Sequence, residues 1–288
     1  MVNEDLLTKQ ILNKLNTIEE QLKEVAFFAN IAKNSATIQI DKHQVLTRLF
    51  TGQIIYLDSR DISLAPHLMM NGEWEMEITQ LFRSLVKPDS VVFDIGANVG
   101  YFGIVAGTDI KTGEIHFFEA NPDFIPLIKK SVEVNGLSKF SYINNFAVSN
   151  KDNEILELNF AKDFWGSSTL HKEILNVEVE KKIKVQTISL DSYCRTNEIR
   201  KVDIVKIDVE AHEESVFNGM QNVIKENPQM KLFLEYTLDM YSDKFFDTLK
   251  STFNNVYAIV DNNLVKVDKE EELKEFSNDW VMLFMFNN

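Results

Sequence analysis

Five ionisable residues crowd one short stretch of the chain: Lys206, Asp208, Glu210, His212 and Glu213, in the run Val205-Lys206-Ile207-Asp208-Val209-Glu210-Ala211-His212-Glu213. The segment Val202–Asp208 reads as a strand, and its alternation puts Lys206, Asp208 and Glu210 on one side. A fully solvated row does not fit a central strand otherwise built of Val and Ile. Asp208 is therefore expected where the strand leaves its sheet. A carboxylate there can take the proton of a hydroxyl or orient that hydroxyl. With Glu210 and with Glu235, at the tip of Leu234-Glu235-Tyr236, it could instead hold a divalent cation such as Mg²⁺. Lys206 supplies a counter-charge, and His212 is the second candidate base. Glu213 reads more simply as a charge in the first turn of the next helix.

A second constellation lies upstream. The run Val91-Val92-Phe93-Asp94-Ile95-Gly96-Ala97-Asn98-Val99-Gly100 is an apolar strand, an acid and a Gly-containing turn that opens a helix. Gly96 permits a sharp turn and close approach of a ligand. The helix N-terminus offers unpaired N–H groups to an anion. A dinucleotide loop requires G-x-G-x-x-G, and Asn98 stands where its second glycine belongs. Asp94, Gly96 and Gly100 instead give D-x-G-x-x-x-G, the pattern of sheets that bind S-adenosylmethionine (SAM). The next strand ends at Glu119-Ala120-Asn121-Pro122, where a carboxylate can accept both hydroxyls of a ribose. The third ends at Asn145-Phe146-Ala147, an amide and an aromatic suited to the edge and face of an adenine. Singly, these residues read equally well as a helix cap, a solvated strand end and a turn. Together they fall in order at successive strand tips, where open α/β sheets bind ligands.

These positions need a frame, and the chain provides one. From Ser90 onward strands (Val91–Asp94, Glu114–Glu119, Phe140–Asn145, Val202–Asp208, Met230–Tyr236) alternate with helical segments (Val99–Gly107, Asp123–Asn135, Ser192–Asn197, His212–Lys225). Such alternation implies a Rossmann-like, mostly parallel sheet with helices on both faces. Glu154–Phe160 and Lys182–Leu190 read as an added hairpin, and strands recur at Asn254–Val260, Leu264–Val267 and Trp280–Phe286. Residues 1–35 differ from the rest. Thr8, Ile11, Leu15, Ile18, Leu22, Val25, Ala29 and Ala32 form a heptad seam on one helix. That seam predicts either a coiled coil that makes a homo-oligomer or a helix docked on its own domain. The division expected is 1–35 as that helix and 36–288 as the catalytic domain, with 36–89 an extension of short strands and 90–288 the core.

The formal charge of −14 in 288 residues argues against a nucleic-acid partner. One cysteine, no apolar run long enough to span a bilayer and no signal-peptide pattern at Met1-Val2-Asn3-Glu4-Asp5 predict a cytoplasmic protein.

The sequence resembles the FkbM family of SAM-dependent methyltransferases. The resemblance rests on Gly72-Glu73-Trp74-Glu75-Met76-Glu77, Phe93-Asp94-Ile95-Gly96-Ala97-Asn98-Val99-Gly100, Glu119-Ala120-Asn121-Pro122, Ala147-Val148-Ser149, Gly166-Ser167-Ser168-Thr169-Leu170, Thr187-Ile188-Ser189-Leu190-Asp191 and Lys206–Glu213. It implies a class I methyltransferase fold, SAM as cofactor, and O-methylation of a sugar, glycan or natural-product hydroxyl. It also implies that Glu75 lies near the cofactor. The chain departs from the family at Ala211, where the family has glycine, and at Met76, where it has proline. Two rivals remain: an NAD-dependent oxidoreductase, against which Asn98 speaks, and a non-catalytic SAM-binding scaffold held by the N-terminal helix.

Overall fold

The computed structural model describes residues 36–161, 169–171 and 179–287, together with positions 9, 12, 14, 15, 17–19, 21–23 and 25. Its centre is an eight-stranded sheet. In chain order the strands among the described residues are β1 Thr37–Gln39, β2 Gln44–Arg48, β3 Ile54–Asp58, β4 Val91–Ile95, β5 Glu114–Phe118, β6 Ser141–Asn144, β7 Ala147–Val148, β8 Ile155–Ala161, β9 Val179–Ile188, β10 Ile204–Ile207, β11 Lys231–Thr237, β12 Asn255–Val260, β13 Asn263–Lys266 and β14 Trp280–Phe286. The large sheet runs β13-β12-β14-β11-β10-β4-β5-β6. Strands β6, β5, β4, β10 and β11 pair in parallel, whereas β14 lies antiparallel between β11 and β12. The strand order reverses between β4 and β10. At that switch point helices leave to opposite faces and a crevice opens at the carboxyl ends.

Alternation sorts the side chains of the central strands. On one face Phe93, Ile95, Val205, Ile207 and Leu234 pack with the helices Leu190–Thr196, Glu213–Asn218, Gln221–Glu226 and Phe245–Thr252. On the other Val92, Ile204 and Phe233 pack with Tyr101–Ala106, Ile125–Val134 and Met76–Leu85. Asp94 and Lys206, register partners on β4 and β10, belong to this second face by the same alternation. Each is almost fully buried.

The extension before the core is a β1-β2-β3 meander, followed by a short helix, Ala65–Asn71, that the sequence reading did not anticipate. Strand β3 docks on the core through side chains. Asn135 accepts from the Ile54 N–H and donates to the Ile54 carbonyl, while Ser131 accepts from the Tyr56 N–H. The expected hairpin is present as β8 and β9, and β7 adds parallel to β9. The helix expected over His212–Lys225 divides in two at Gly219-Met220, where a Cβ on Gly219 would collide with the Ser149 carbonyl. Phe245–Thr252 is helical and was not foreseen. The described positions between 9 and 25 are helical, and Leu12, Leu15, Ile18, Leu22 and Val25 are all exposed, so these side chains are not docked on the domain. The other seam positions lie outside the described residues.

Candidate active site

The Gly96 turn is shaped by two contacts. Gly96 has φ 74°, and a Cβ on it would lie 1.8 Å from the backbone oxygen of Asp208. The close approach that requires glycine is thus made by the tip of β10. Beyond the turn, Asn98 (φ 52°) donates its N–H to Glu119 Oε2 at 2.6 Å, and Asn121 donates its N–H to Glu119 Oε1 at 2.7 Å. Glu119 therefore fixes both loops with one lone pair on each oxygen and keeps a second pair on each. Burial pushes its carboxyl up to about 7 against those two N–H bonds. Asp94 accepts the Gly103 N–H at 2.9 Å, the cap anticipated as its plainer reading, and burial pushes it up to about 6. Gly100, at φ 87°, packs against Phe117 and Ile128.

Asp94, Gly96, Asn98 and Glu119 line one cleft of about 490 Å³ that also takes in Ala120, Phe146, Ala147, Glu75, Lys206, Asp208, Glu210, His212 and Glu235. Three expected members, Gly100, Asn121 and Asn145, stand outside its lining. Asn145 is exposed, and its amide donates to the Glu119 and Ala120 carbonyls at 2.8 and 3.0 Å. These donations brace the loop wall. Asn121 is buried beneath the same loop; its Oδ1 accepts the Asp123 N–H at 2.9 Å.

At the tip of β10, Lys206 Nζ lies 2.7 Å from Asp208 Oδ2 and 4.3 Å from the centre of the Phe102 ring. Burial opposes the ammonium, but the carboxylates of Asp208, Glu75 and Asp94 outweigh it and hold Lys206 above its ordinary range. Beyond Ile207 the chain leaves the strand through two successive left-handed residues, Glu210 (φ 53°) and Ala211 (φ 71°). This explains the glycine of the family pattern: Ala211 occupies a conformation that disfavours a Cβ. Met76, at the other departure, opens the helix Met76–Leu85, a position that suits proline equally. Glu213, buried, accepts the Val209 N–H at 2.7 Å and the Tyr241 hydroxyl, so it ties the loop back on itself. That goes beyond the first-turn charge expected of it.

His212 is not alone, as the sequence suggested. Its Nδ1 lies 3.3 Å from His171 Nε2 and its Nε2 lies 3.1 Å from Ser149 Oγ. Burial and the neighbouring His171 push it down to about 4. With both ring nitrogens engaged, His212 braces the segment around His171. Thr169 adds to this brace by donating its hydroxyl to the Glu210 carbonyl at 2.7 Å. His171 was missed because its partner lies 41 residues away. The loop 162–168, including Trp165 and Gly166-Ser167-Ser168, lies outside the described residues.

The acids at the far end do not form the cation site considered from sequence. Among the described residues no three His, Cys, Asp or Glu side chains stand together so as to hold a metal ion. Asp208, Glu210 and Glu235 line one wall separately. Burial pushes Glu210 up to about 8 and Glu75 up to about 7, and it raises Glu235 well above the carboxylate range.

Strand order, one antiparallel strand beside β11, and a cleft on the carboxyl edge at the switch point define a class I SAM-dependent methyltransferase fold. Residues 94–266, more than half of the chain, match the methyltransferase FkbM domain model, and the chain belongs to that family. It is similar to the hexuronic acid methyltransferase AglP of Haloferax volcanii, at 28% identity over 152 residues, or 52% of this chain and 58% of that protein. Solved structures with a related outline include a putative O-methyltransferase from Klebsiella pneumoniae (9% identity, 75% of this chain, 82% of that chain, TM-score 0.43). Another is the precorrin-6y C5,15-methyltransferase of Geobacter metallireducens (12% identity, 74% and 88%, TM-score 0.41). Likenesses at that level do not bear on function. Among the described residues no helix is long and apolar enough to cross a membrane.

Proposed function

We propose that this protein transfers the methyl group of SAM to a hydroxyl of a sugar or glycan, with Asp208 as the base. The observation that carries the reading is the Lys206–Asp208 pair, 2.7 Å apart, at the tip of β10 and touching the Gly96 turn. The cleft suits SAM on its own terms. The turn carries a buried Asn98 Oδ1 with no hydrogen-bond partner among the described residues, an acceptor for the amino-acid end of the cofactor. Glu119 retains one lone pair on each oxygen for the ribose hydroxyls, and Phe146, Ala147 and Ala120 provide an apolar wall for the base. When bound, SAM supplies an electrophilic methyl group on a cationic sulfur.

The chain's own residues do the rest. Lys206 holds Asp208 through Oδ2, and among the described residues nothing bonds Oδ1. Oδ1 accepts the proton of the acceptor hydroxyl, a step worth about 10²–10⁴-fold in rate. Holding that oxygen in line with the methyl group contributes further. Glu75, Glu210 and Glu235 wall the acceptor end, where carboxyl groups accept sugar hydroxyls and disfavour a second anion. This supports a neutral sugar, although the Haloferax relative is named for a hexuronic acid. The net charge of −14 supports an acceptor other than nucleic acid. The exposed Leu12, Leu15, Ile18, Leu22 and Val25 support a homo-oligomer assembled through the N-terminal helix. The lone cysteine, Cys194, is buried, which supports a reducing, cytoplasmic setting.

The test is calorimetry with SAM and NAD, followed by transfer from methyl-labelled SAM to a panel of sugars. Binding of SAM and label in a sugar support the reading. Binding of NAD alone would favour the oxidoreductase rival, and SAM binding without transfer would favour the scaffold.

A further inference from the structure

A second cavity of about 470 Å³ adjoins the first, and the two share Trp74, Glu75 and Trp280 in their linings. Its own walls include Ile259, Val260, Phe276 and Ser277. Strand order fixes its direction. Along the carboxyl edge of the sheet, Glu119 follows β5, Gly96 follows β4 and Asp208 follows β10. Next come Thr237 at the end of β11 and its register partner Trp280 at the start of the antiparallel β14. Val260 ends β12, the next strand outward. Three strand spacings, about 14 Å, separate β10 from β12. The second cavity is therefore the outward continuation of the acceptor end, on the side away from the Glu119 end.

Its chemistry is that of a carbohydrate subsite. Trp74 and Trp280, in the shared lining, are aromatic rings of the kind against which the C–H face of a pyranose packs. The Trp74 carbonyl accepts the Thr79 hydroxyl at 2.7 Å, and its ring makes a T-shaped pair with His67, 5.1 Å away between ring centres. Glu75 stands in the shared wall at positive φ, and its Oε2 is buried with no hydrogen-bond partner among the described residues. An unpaired buried oxygen is costly unless a ligand hydroxyl satisfies it.

We infer that this second cavity holds the sugar ring next to the one methylated, so that the acceptor is an oligosaccharide of at least two units. The inference rests on the methyltransferase reading above. A neighbouring ring seated between Trp74 and Trp280 also fixes the reacting hydroxyl, so its binding is expressed in turnover as well as in affinity.

The experiment follows label from methyl-labelled SAM into neutral monosaccharides and into di- and trisaccharides ending in the same units. The wild-type protein should prefer the longer acceptors in kcat/KM by about two- to tenfold, the scale of one aromatic contact. Ser277→Trp, which fills only the second cavity, and Trp280→Ala should each bring that ratio toward one. Calorimetry with SAM verifies that each variant is folded. Equal use of monosaccharides and longer acceptors by the wild type, or a ratio that Ser277→Trp leaves intact, overturns the subsite while methyl transfer to sugars stands. Label in no sugar of any length overturns the methyltransferase reading and the subsite with it.

Discussion

The backbone oxygen of Asp208 lies over Gly96 so closely that any Cβ there would come within 1.8 Å of it. The turn that is to receive the cofactor and the tip that carries the proposed base are thus one packed unit. Gly96→Ala forces them apart and places alanine at φ 74°. Overpacking and backbone strain together should cost about 2–5 kcal/mol of stability. Urea unfolding measures this, and SAM binding should be lost in the same variant.

Ala211 tests the other departure from regular backbone. At φ 71° it tolerates a methyl group but not a branched one. Ala211→Val should cost about 2 kcal/mol or more. Ala211→Gly should stay within about 1 kcal/mol of wild type, since relief of strain offsets lost burial and added chain entropy. Thermal unfolding of both variants checks the contrast.

Glu119 joins two loops through two backbone N–H groups and faces the expected ribose. Glu119→Ala should weaken SAM binding by about 1.5–3 kcal/mol for each charge-assisted bond lost, roughly tenfold or more. Unchanged affinity by calorimetry would remove Glu119 from the cofactor site.

The buried acids make stability pH-dependent. Burial pushes Glu75, Glu119 and Glu213 up to about 7 and Glu210 up to about 8, all from an ordinary value of 4.5. A carboxyl with a raised value in the fold stabilises the fold while it keeps its proton. That contribution is complete below 4.5 and is lost as pH rises through the folded value. His212, pushed down to about 4, works oppositely, losing its contribution as pH falls from 6.5 toward 4. Above its ordinary value it no longer changes. The Tm of the ligand-free protein should therefore fall as pH rises from about 4.5 to about 8, with His212 offsetting only part of that fall below pH 6.5. Scanning fluorimetry across that window reads the effect directly, and bound SAM, a cation, should reduce it.

Much of this site was legible because strand-tip chemistry is local. Asp94, Gly96 and Glu119 each sit within a few residues of an apolar strand whose end the sequence marks. What escaped was contact between distant segments. His171 reaches His212 from the β8–β9 connection, and Trp280 meets Thr237 only because β14 inserts antiparallel next to β11. The bracing by Asn145 escaped for a related reason: its residue type suits adenine, and only the fold brings its donors to the Glu119 and Ala120 carbonyls. The helix Ala65–Asn71 is too short, at 7 residues, to show a helical period, and its Pro66 occupies the first turn, where the missing N–H costs nothing. The apolar seam was readable from its spacing, but spacing could not distinguish docking on the domain from exposure.

In the proposed reaction Asp208 takes the proton of an acceptor hydroxyl while Lys206, 2.7 Å away, holds it in place. Single-turnover transfer from pre-bound, methyl-labelled SAM to a sugar acceptor isolates that step from binding and release. Asp208→Asn keeps the shape of the tip and removes the base. Its SAM affinity should stay within a few-fold of wild type, and its single-turnover rate should fall by at least ~10². A rate near that of wild type on the same acceptor would contradict the account and leave Asp208 a structural residue.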